Sequence, residues 1–307
     1  MNQFTLQYTV EQEMLLRDYL AMHDISKRTL AAIKFGGGNI YVNEIERNVR
    51  YIVQPGDLVK IVFPKEERSE GLVPEDGPLQ IVYEDEALLV IQKDAGMSTI
   101  PSAQHRSHTI ANYVAGKFAR ENIPATVHIV TRLDLDTSGL ICIAKNRHIH
   151  HILSKQIQTC IFERTYEAVV EGHIVADQWT TNEPIGRKDG SIIERMIRAD
   201  GQHAITHGKV LKRIENGCGK YTHIALTLET GRTHQIRVHM QSIGHSLVGD
   251  DLYGGQTEWI NRQALHCKSL TFYHPITKKK MTFTSPTPPD IYRILHNKSN
   301  SCRKKNV

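Results

Sequence analysis

Ten residues in the middle of the chain, Thr131-Arg132-Leu133-Asp134-Leu135-Asp136-Thr137-Ser138-Gly139-Leu140, concentrate groups that can do chemistry. Two carboxylates, a guanidinium, three hydroxyls and a glycine stand just ahead of an apolar run, Leu140 to Ala144. A carboxylate serves as nucleophile or as base, and only its ionised form does either. Loops held by a rigid strand commonly carry such groups. The same residues also suit a tight turn in which Asp136, Thr137 and Ser138 bond their own backbone. Spacing alone leaves both readings open.

A second dense stretch is Glu229-Thr230-Gly231-Arg232-Thr233-His234-Gln235-Ile236-Arg237-Val238-His239-Met240. Gly231 lets the chain turn, and Thr233 is the expected cap of a helix that buries Ile236, Met240 and Ile243. On that helix His234, Arg237 and Gln241 share another face. A row of donors at a helix start suits phosphate or carboxylate, and a solvated polar face accounts for the spacing equally well. His148-x-His150-His151 has no companion cysteine or carboxylate at metal spacing and reads as solvated histidines. The five cysteines lie at 142, 160, 218, 267 and 302, never closer than eighteen residues, so no zinc pattern exists. Scattered through apparent core segments, they fit reduced thiols and a cytoplasmic protein.

The elements that must hold these groups fall into two units. The first sixty-odd residues read as a small α/β unit. It has a helix face at Met14, Leu15, Tyr19 and Leu20, and a helix Lys27 to Phe35 capped by Ser26 and stopped at Gly36-Gly37-Gly38. Strands follow at Asn39 to Val42 and Asp57 to Phe63. Residues 66–78, acidic and rich in Pro and Gly, read as a linker between a 1–65 unit and a 79–297 unit. The second unit mixes strands near 80–83, 87–92, 139–144, 164–170 and 221–228 with helices near 108–120, 146–158 and 233–243. A hairpin spans Leu270 to Phe283, its tip carrying Lys278, Lys279 and Lys280. Those lysines suit RNA phosphates or protection of a sheet edge. Strands do not alternate regularly with helices, so an α+β fold with a mixed or antiparallel sheet is expected, not a doubly wound parallel one.

Composition limits the class. Of 307 residues 40% are hydrophobic and 23% charged, and the longest apolar runs, such as Leu140 to Ala144, are far short of the ~18 residues that span a bilayer. The first charged residue is Glu11, with no basic segment before an apolar one, so neither a leader nor a membrane association is expected. The net charge of +5 is concentrated in the tail, where Lys298, Arg303, Lys304 and Lys305 leave about +1 for the rest. Residues 298–307 are expected to be a disordered basic tail. Such a balance permits a nucleic-acid partner without requiring one.

The two dense stretches together resemble the motifs of the RluA-type pseudouridine synthases. Arg132-Leu133-Asp134 with Thr137-Ser138-Gly139 is similar to their catalytic motif. Gly231-Arg232-Thr233-His234-Gln235-Ile236-Arg237, continued by Gly249-Asp250-Asp251-Leu252-Tyr253-Gly254, is similar to their late motif. Weaker matches at Lys93 to Met97, Thr165 to Gly172 and Arg262 to His266 occur in the family order, so the resemblance covers roughly residues 80–290. Two positions depart from it: Thr131 stands where the family usually has histidine, and Asp94 where proline is expected. The N-terminal unit resembles the ribosomal S-four-type RNA-binding domain, with Lys27, Arg28 and Lys34 on one helical surface for phosphates. Residues 1–65 hold eight Lys/Arg against seven Asp/Glu, so that unit is not a polycation.

The resemblance implies an enzyme that isomerises uridine to pseudouridine in structured ribosomal or transfer RNA, working as a monomer without metal or other cofactor. It assigns Asp134 as the reactive carboxylate, Tyr166 beside the base and Arg237 in a salt bridge with Asp134. Arg132, Thr137 and Ile236 are expected at the substrate. Two other readings stand beside it. One is a non-catalytic RNA-binding or ribosome-assembly protein keeping the fold, disfavoured because a pure binder needs no Asp134–Tyr166–Arg237 constellation. The other is a glycosidase using Asp134 and Asp136 as a pair, disfavoured by the lack of a sugar-binding aromatic cluster.

Overall fold

The computed structural model describes residues 3–67, 71–216 and 219–296. The expected tail at 298–307, Cys218 and Cys302 lie outside the described residues, as do 68–70 within the expected linker.

The N-terminal residues form an antiparallel four-stranded sheet in the order Thr5–Thr9, Leu58–Val62, Asn39–Val42, Ile45–Glu46. Helices Leu16–Met22 and Lys27–Phe35 accompany it. Ser26 caps the second helix by accepting from the Thr29 amide, as its residue type predicts. Leu16, Leu20, Ile33, Val59 and Ile61 make a core separate from the main one.

The main sheet has ten strands. Its path runs Gln178–Asn182, Ile205–Asn216, Gly219–Leu228, Glu163–Glu171, Leu265–Tyr273, Ser138–Ala144, Leu88–Lys93, Gln80–Glu84, with Lys280–Thr284 and His128–Ile129 paired to its sides. Every pairing is antiparallel except one: Ser138–Ala144 meets Leu265–Tyr273 in parallel, through Ser138↔His266 and Gly139↔Cys267. At that junction Gly139 has φ +118°, and a Cβ on it would stand 2.3 Å from the Cys267 carbonyl oxygen. Only glycine lets the two backbones approach so closely.

Ser138–Ala144 is buried on both faces. Helices Ile110–Arg120 and Arg147–Gln158 cover one face with Val114, Phe118, Ile149 and Leu153. Helix Pro289–His296 covers the neighbouring strands from the other side, with Ile291 and Ile294 against Val169 and Tyr221. Residues 71–78 are laid along the helix Ile110–Arg120. Asn112 Nδ2 donates to the Val73 carbonyl, and the Glu75 backbone crosses so close to Gly116 that a side chain there would collide.

Several local expectations are corrected. His148 is not solvated: it is 2% exposed, its ring stacked 5.0 Å from Phe63 of the N-terminal core. Residue spacing cannot show that another part of the chain covers that helix face. Cys160 is exposed, unlike the buried Cys142 and Cys267. Lys278 at the hairpin tip pairs with Asp24 of the N-terminal unit at 3.6 Å, and Lys155 binds the same carboxylate at 2.8 Å. That lysine joins the two units.

Candidate active site

Asp134 sits on the loop entering the Ser138–Ala144 strand, and nearly every residue of that loop is held from a different direction. Thr99 Oγ1 donates to the Leu133 carbonyl at 2.9 Å. Lys93 Nζ donates to the Leu135 carbonyl at 2.8 Å, and also to the carbonyls of Asp94 and Met97. Arg262 Nη1 donates to the Asp136 carbonyl at 3.1 Å. Gln263 Nε2 donates to Thr137 Oγ1 at 3.1 Å, and Ser138 Oγ is hydrogen-bonded to His266 Nδ1 at 3.0 Å. The loop closes on itself through the Thr137 amide, which donates to the Asp134 carbonyl. These anchors take main-chain oxygens and the Thr137 and Ser138 hydroxyls. The Asp134 carboxylate stays 26% exposed and open to a substrate.

Lys93 is fully buried, and burial pushes its pKa down to about 8 although the charges of Asp134 and Asp136 act in the other direction. Its three carbonyl partners use all three ammonium donors. Thr131 accepts from the Cys142 amide through Oγ1 at 2.9 Å and so tethers the loop to its own strand.

Arg237 comes from the helix Gln235–Ser242. Its Nε and Nη2 each donate at 2.7 Å to a different oxygen of Asp250, and Nη1 lies 3.5 Å from Asp134 Oδ2. Asp250 is completely buried, so this fork is what makes its charge tolerable there. The guanidinium also lies over the Tyr253 ring, 4.9 Å from its centroid. Tyr253 Oη is hydrogen-bonded to His234 Nδ1 at 2.8 Å and accepts from the Arg195 amide at 2.9 Å. Burial lowers the pKa of His234, with the charge of Asp134 opposing and those of Arg237 and Arg195 adding to the effect. His234 is therefore neutral at physiological pH.

The start of this helix differs from expectation. Thr233 does not cap it; His234 is the cap residue, in the left-handed region at φ 57°, and no side chain caps the end. The Gln235 side chain serves the turn instead, accepting from the Arg232 amide and from Thr230 Oγ1. Ile236 and Met240 are buried, but Ile243 is exposed. The face carrying Arg237 is buried against Asp250 and Tyr253 instead of solvated.

Tyr166 lies on the strand Glu163–Glu171, 5% exposed, opposite Leu226 and Cys267. Burial, with the Cys267 thiol and the Asp134 charge, pushes its hydroxyl well above the ordinary tyrosine range, so it remains protonated. Arg132 is exposed and has no carboxylate partner among the described residues. Thr137 and Ile236, expected at the substrate, are placed inside the protein, the first bound to Gln263 and the second in the main core. Lys27, Arg28 and Lys34 are exposed on their helix, away from this loop in sequence and unpaired with carboxylates among the described residues. Local patterns assign no role to Asp250, Tyr253, Arg262, Gln263 or Lys93, although all lie in motifs that the sequence singles out. A buried arginine in mid-helix requires a carboxylate, and the pair Asp250-Asp251 is the available signal. Among the described residues no cluster of ligating side chains could hold a metal ion, and no helix is long and apolar enough to cross a membrane.

The chain is similar to known proteins over most of its length. The RNA pseudouridylate synthase family matches residues 87–242, a span holding Asp134, Tyr166 and Arg237. The uncharacterized RNA pseudouridine synthase YjbO of Bacillus subtilis is 46% identical over 92% of this chain and 98% of its own length. Ribosomal large subunit pseudouridine synthase D of Pseudomonas aeruginosa is 39% identical over 80% of this chain and 81% of its own. Among solved structures, human RNA pseudouridylate synthase domain containing 1 superposes with a TM-score of 0.57 at 25% identity, covering 71% of this chain and 89% of that one. The chain belongs to the RNA pseudouridylate synthase family, as its RluA-type motifs imply, and is an RNA pseudouridine synthase.

Proposed function

We propose that Asp134 is the reactive carboxylate of this isomerase and that its substrate is a uridine turned out of structured RNA, with large-subunit ribosomal RNA the first candidate. The reaction breaks the bond between ribose C1′ and N1 of uracil and makes a bond from C1′ to C5. The proton on C5 leaves and N1 gains one, so nothing is added or lost. An ionised carboxylate serves each route to that outcome: attack on ribose, attack on the base, or removal of a sugar proton. The observation that carries the reading is the restraint on the Asp134 loop. Its main-chain oxygens at 133, 135 and 136 are each taken by a separate anchor, while the carboxylate is left facing Arg237 and solvent. Rigid placement of one free carboxylate is what a catalyst needs and what a turn does not.

Arg237 places a positive charge 3.5 Å from that carboxylate and fixes the direction it faces. Tyr166 offers the flat face on which a turned-out uracil rests, and its protonated hydroxyl can donate to the base. Arg132, exposed at the loop, contacts the RNA backbone. Thr137 and Ile236 act from beneath, by holding the loop and the helix. The N-terminal helix adds phosphate contacts through Lys27, Arg28 and Lys34. The name of the Pseudomonas relative favours ribosomal RNA over transfer RNA. Mapping pseudouridines in ribosomal and transfer RNA from cells with and without the gene tests the assignment. A position lost on deletion and restored by the wild-type gene but not by Asp134→Asn is the expected result.

A further inference from the structure

The hairpin Ile185–Arg187 and Arg195–Ile197 projects beside the site as its own two-stranded sheet. Two paired strands are marginal alone, and this pair is fastened to the active site. Ile185 and Ile197 pack with Val238 of the Arg237 helix and with Tyr253, and the Arg195 amide donates to Tyr253 Oη. Further toward the tip, Arg187 stands directly opposite Arg195. Side chains alternate along a strand, so the two arginines share the face of Ile185 and Ile197, the face turned to the site.

Like charges directly opposite each other destabilise a sheet. The rest of the hairpin shows how such charges are ordinarily neutralised. Arg198 reaches Asp189 and Asp200, and Lys188 reaches Glu194 at 2.8 Å. Arg187 is exposed and has no carboxylate partner among the described residues. Arg195 spends Nη1 on the carbonyls of Ile193 and Glu194 and likewise has no carboxylate partner among the described residues. The other cations of the hairpin are thus matched to acids, while the two facing the site are not. An arginine pair without an anion, on the lip of a site that takes a polyanion, has the chemistry of a phosphate clamp.

We propose that Arg187 and Arg195 bind a backbone phosphate of the RNA strand carrying the target uridine. The hairpin then acts as a binding arm linked through Tyr253 to Arg237 and Asp134. The inference rests on the RNA-modifying reading of that site and adds to it a subsite for the flanking strand.

The test measures binding to an unmodified transcript of large-subunit ribosomal RNA over a range of salt. The proteins are the wild type, the double variant Arg187→Gln/Arg195→Gln, and the double variant Arg187→Lys/Arg195→Lys. Each phosphate no longer neutralised should make the slope of log affinity against log salt shallower by about 0.7–0.9. The glutamine pair should show that change with a several-fold weaker affinity, and the lysine pair should keep the wild-type slope. Arg187→Gln alone, which has no side-chain bond within the hairpin to lose, gives the same reading should the double variant melt early. An unchanged slope in the glutamine variants overturns the proposal. So does a lysine pair as shallow as the glutamine pair, because the effect would then come from the missing carbonyl bonds of Arg195 and not from charge. Conversion of uridine in the same transcript is scored separately. A wild type that converts nothing counts against the assignment of the RNA, while the slope still judges the arginine pair.

Discussion

Arg237 and Asp250 meet fork to fork, with Nε and Nη2 each 2.7 Å from a separate carboxylate oxygen, and this leaves Nη1 as the atom presented to Asp134. The reactive carboxylate therefore sees an arginine whose direction is set by a second, completely buried aspartate. Lysine supplies the charge but not the two-point grip. Arg237→Lys should lose nearly as much single-turnover activity as Arg237→Met. Asp250→Asn should lower stability by about 3–5 kcal/mol, the cost of leaving one buried charge unpaired, and should lower the rate in the protein that stays folded. Thermal melts and single-turnover rates read the two effects apart. Full activity in Arg237→Lys would show that charge alone matters and that the Asp250 fork is only structural.

Asp134 and Asp136 separate cleanly in the structure. The loop anchors leave the Asp134 carboxylate free, whereas Asp136 is held by its main-chain carbonyl through Arg262. Asp134→Asn should cost at least the roughly 10²–10⁴-fold typical of losing a positioned acid–base group, with RNA affinity kept within a few-fold. Asp136→Asn should retain most activity, because the anchoring oxygen is untouched. Equal losses from both would mean that the two carboxylates act as a pair.

The N-terminal helix is better probed by substitution than by truncation. Removing residues 1–70 would uncover His148 and discard the Asp24 contacts to Lys155 and Lys278. Lys27→Gln, Arg28→Gln and Lys34→Gln together remove three exposed charges and no ion pair of the described structure. Protection of the RNA from nuclease should shrink at one edge while conversion at saturating RNA stays near wild type. An unchanged footprint would take this helix off the RNA surface.

The reactive loop is legible because turn-forming residues sit directly ahead of a buried apolar run. The central strands of the main sheet follow from alternation or apolarity, whereas Thr5–Thr9, Gln178–Asn182 and Ile205–Asn216 escape both signals. What periodicity does not reveal is which distant group neutralises a buried one. Arg237 reads as a surface charge because its partner Asp250 lies in a loop beyond the helix. Thr233 reads as a cap because nothing local shows that the Gln235 side chain takes the Arg232 amide. His148 reads as solvated because the ring that covers it, Phe63, comes from the other unit. Each miss is a tertiary contact overriding a local pattern, and each lies where polar groups are buried for a purpose.

His148 carries the clearest pH consequence. Its ring is 2% exposed, and neither ring nitrogen has a partner among the described residues. Burial, helped by the neighbouring charges of His151 and Lys278, pushes its pKa from 6.5 down to about 4. On acidification the unfolded chain therefore takes up this proton first. Stability is full above pH 6.5 and is lost as the pH falls toward 4, by about 2 kcal/mol from this group at pH 5. His266, also lowered to about 4 by burial, loses stability over the same window. His148→Phe keeps a ring against Phe63 and removes the titration, so its melting temperature should fall less than the wild type's between about pH 7.5 and pH 5. Part of the loss should show as a separate low-temperature transition, because Phe63 belongs to the N-terminal core and protonation weakens the contact between the two units. A variant that loses as much as the wild type over this range would show that the His148 ring already holds its proton in the folded protein.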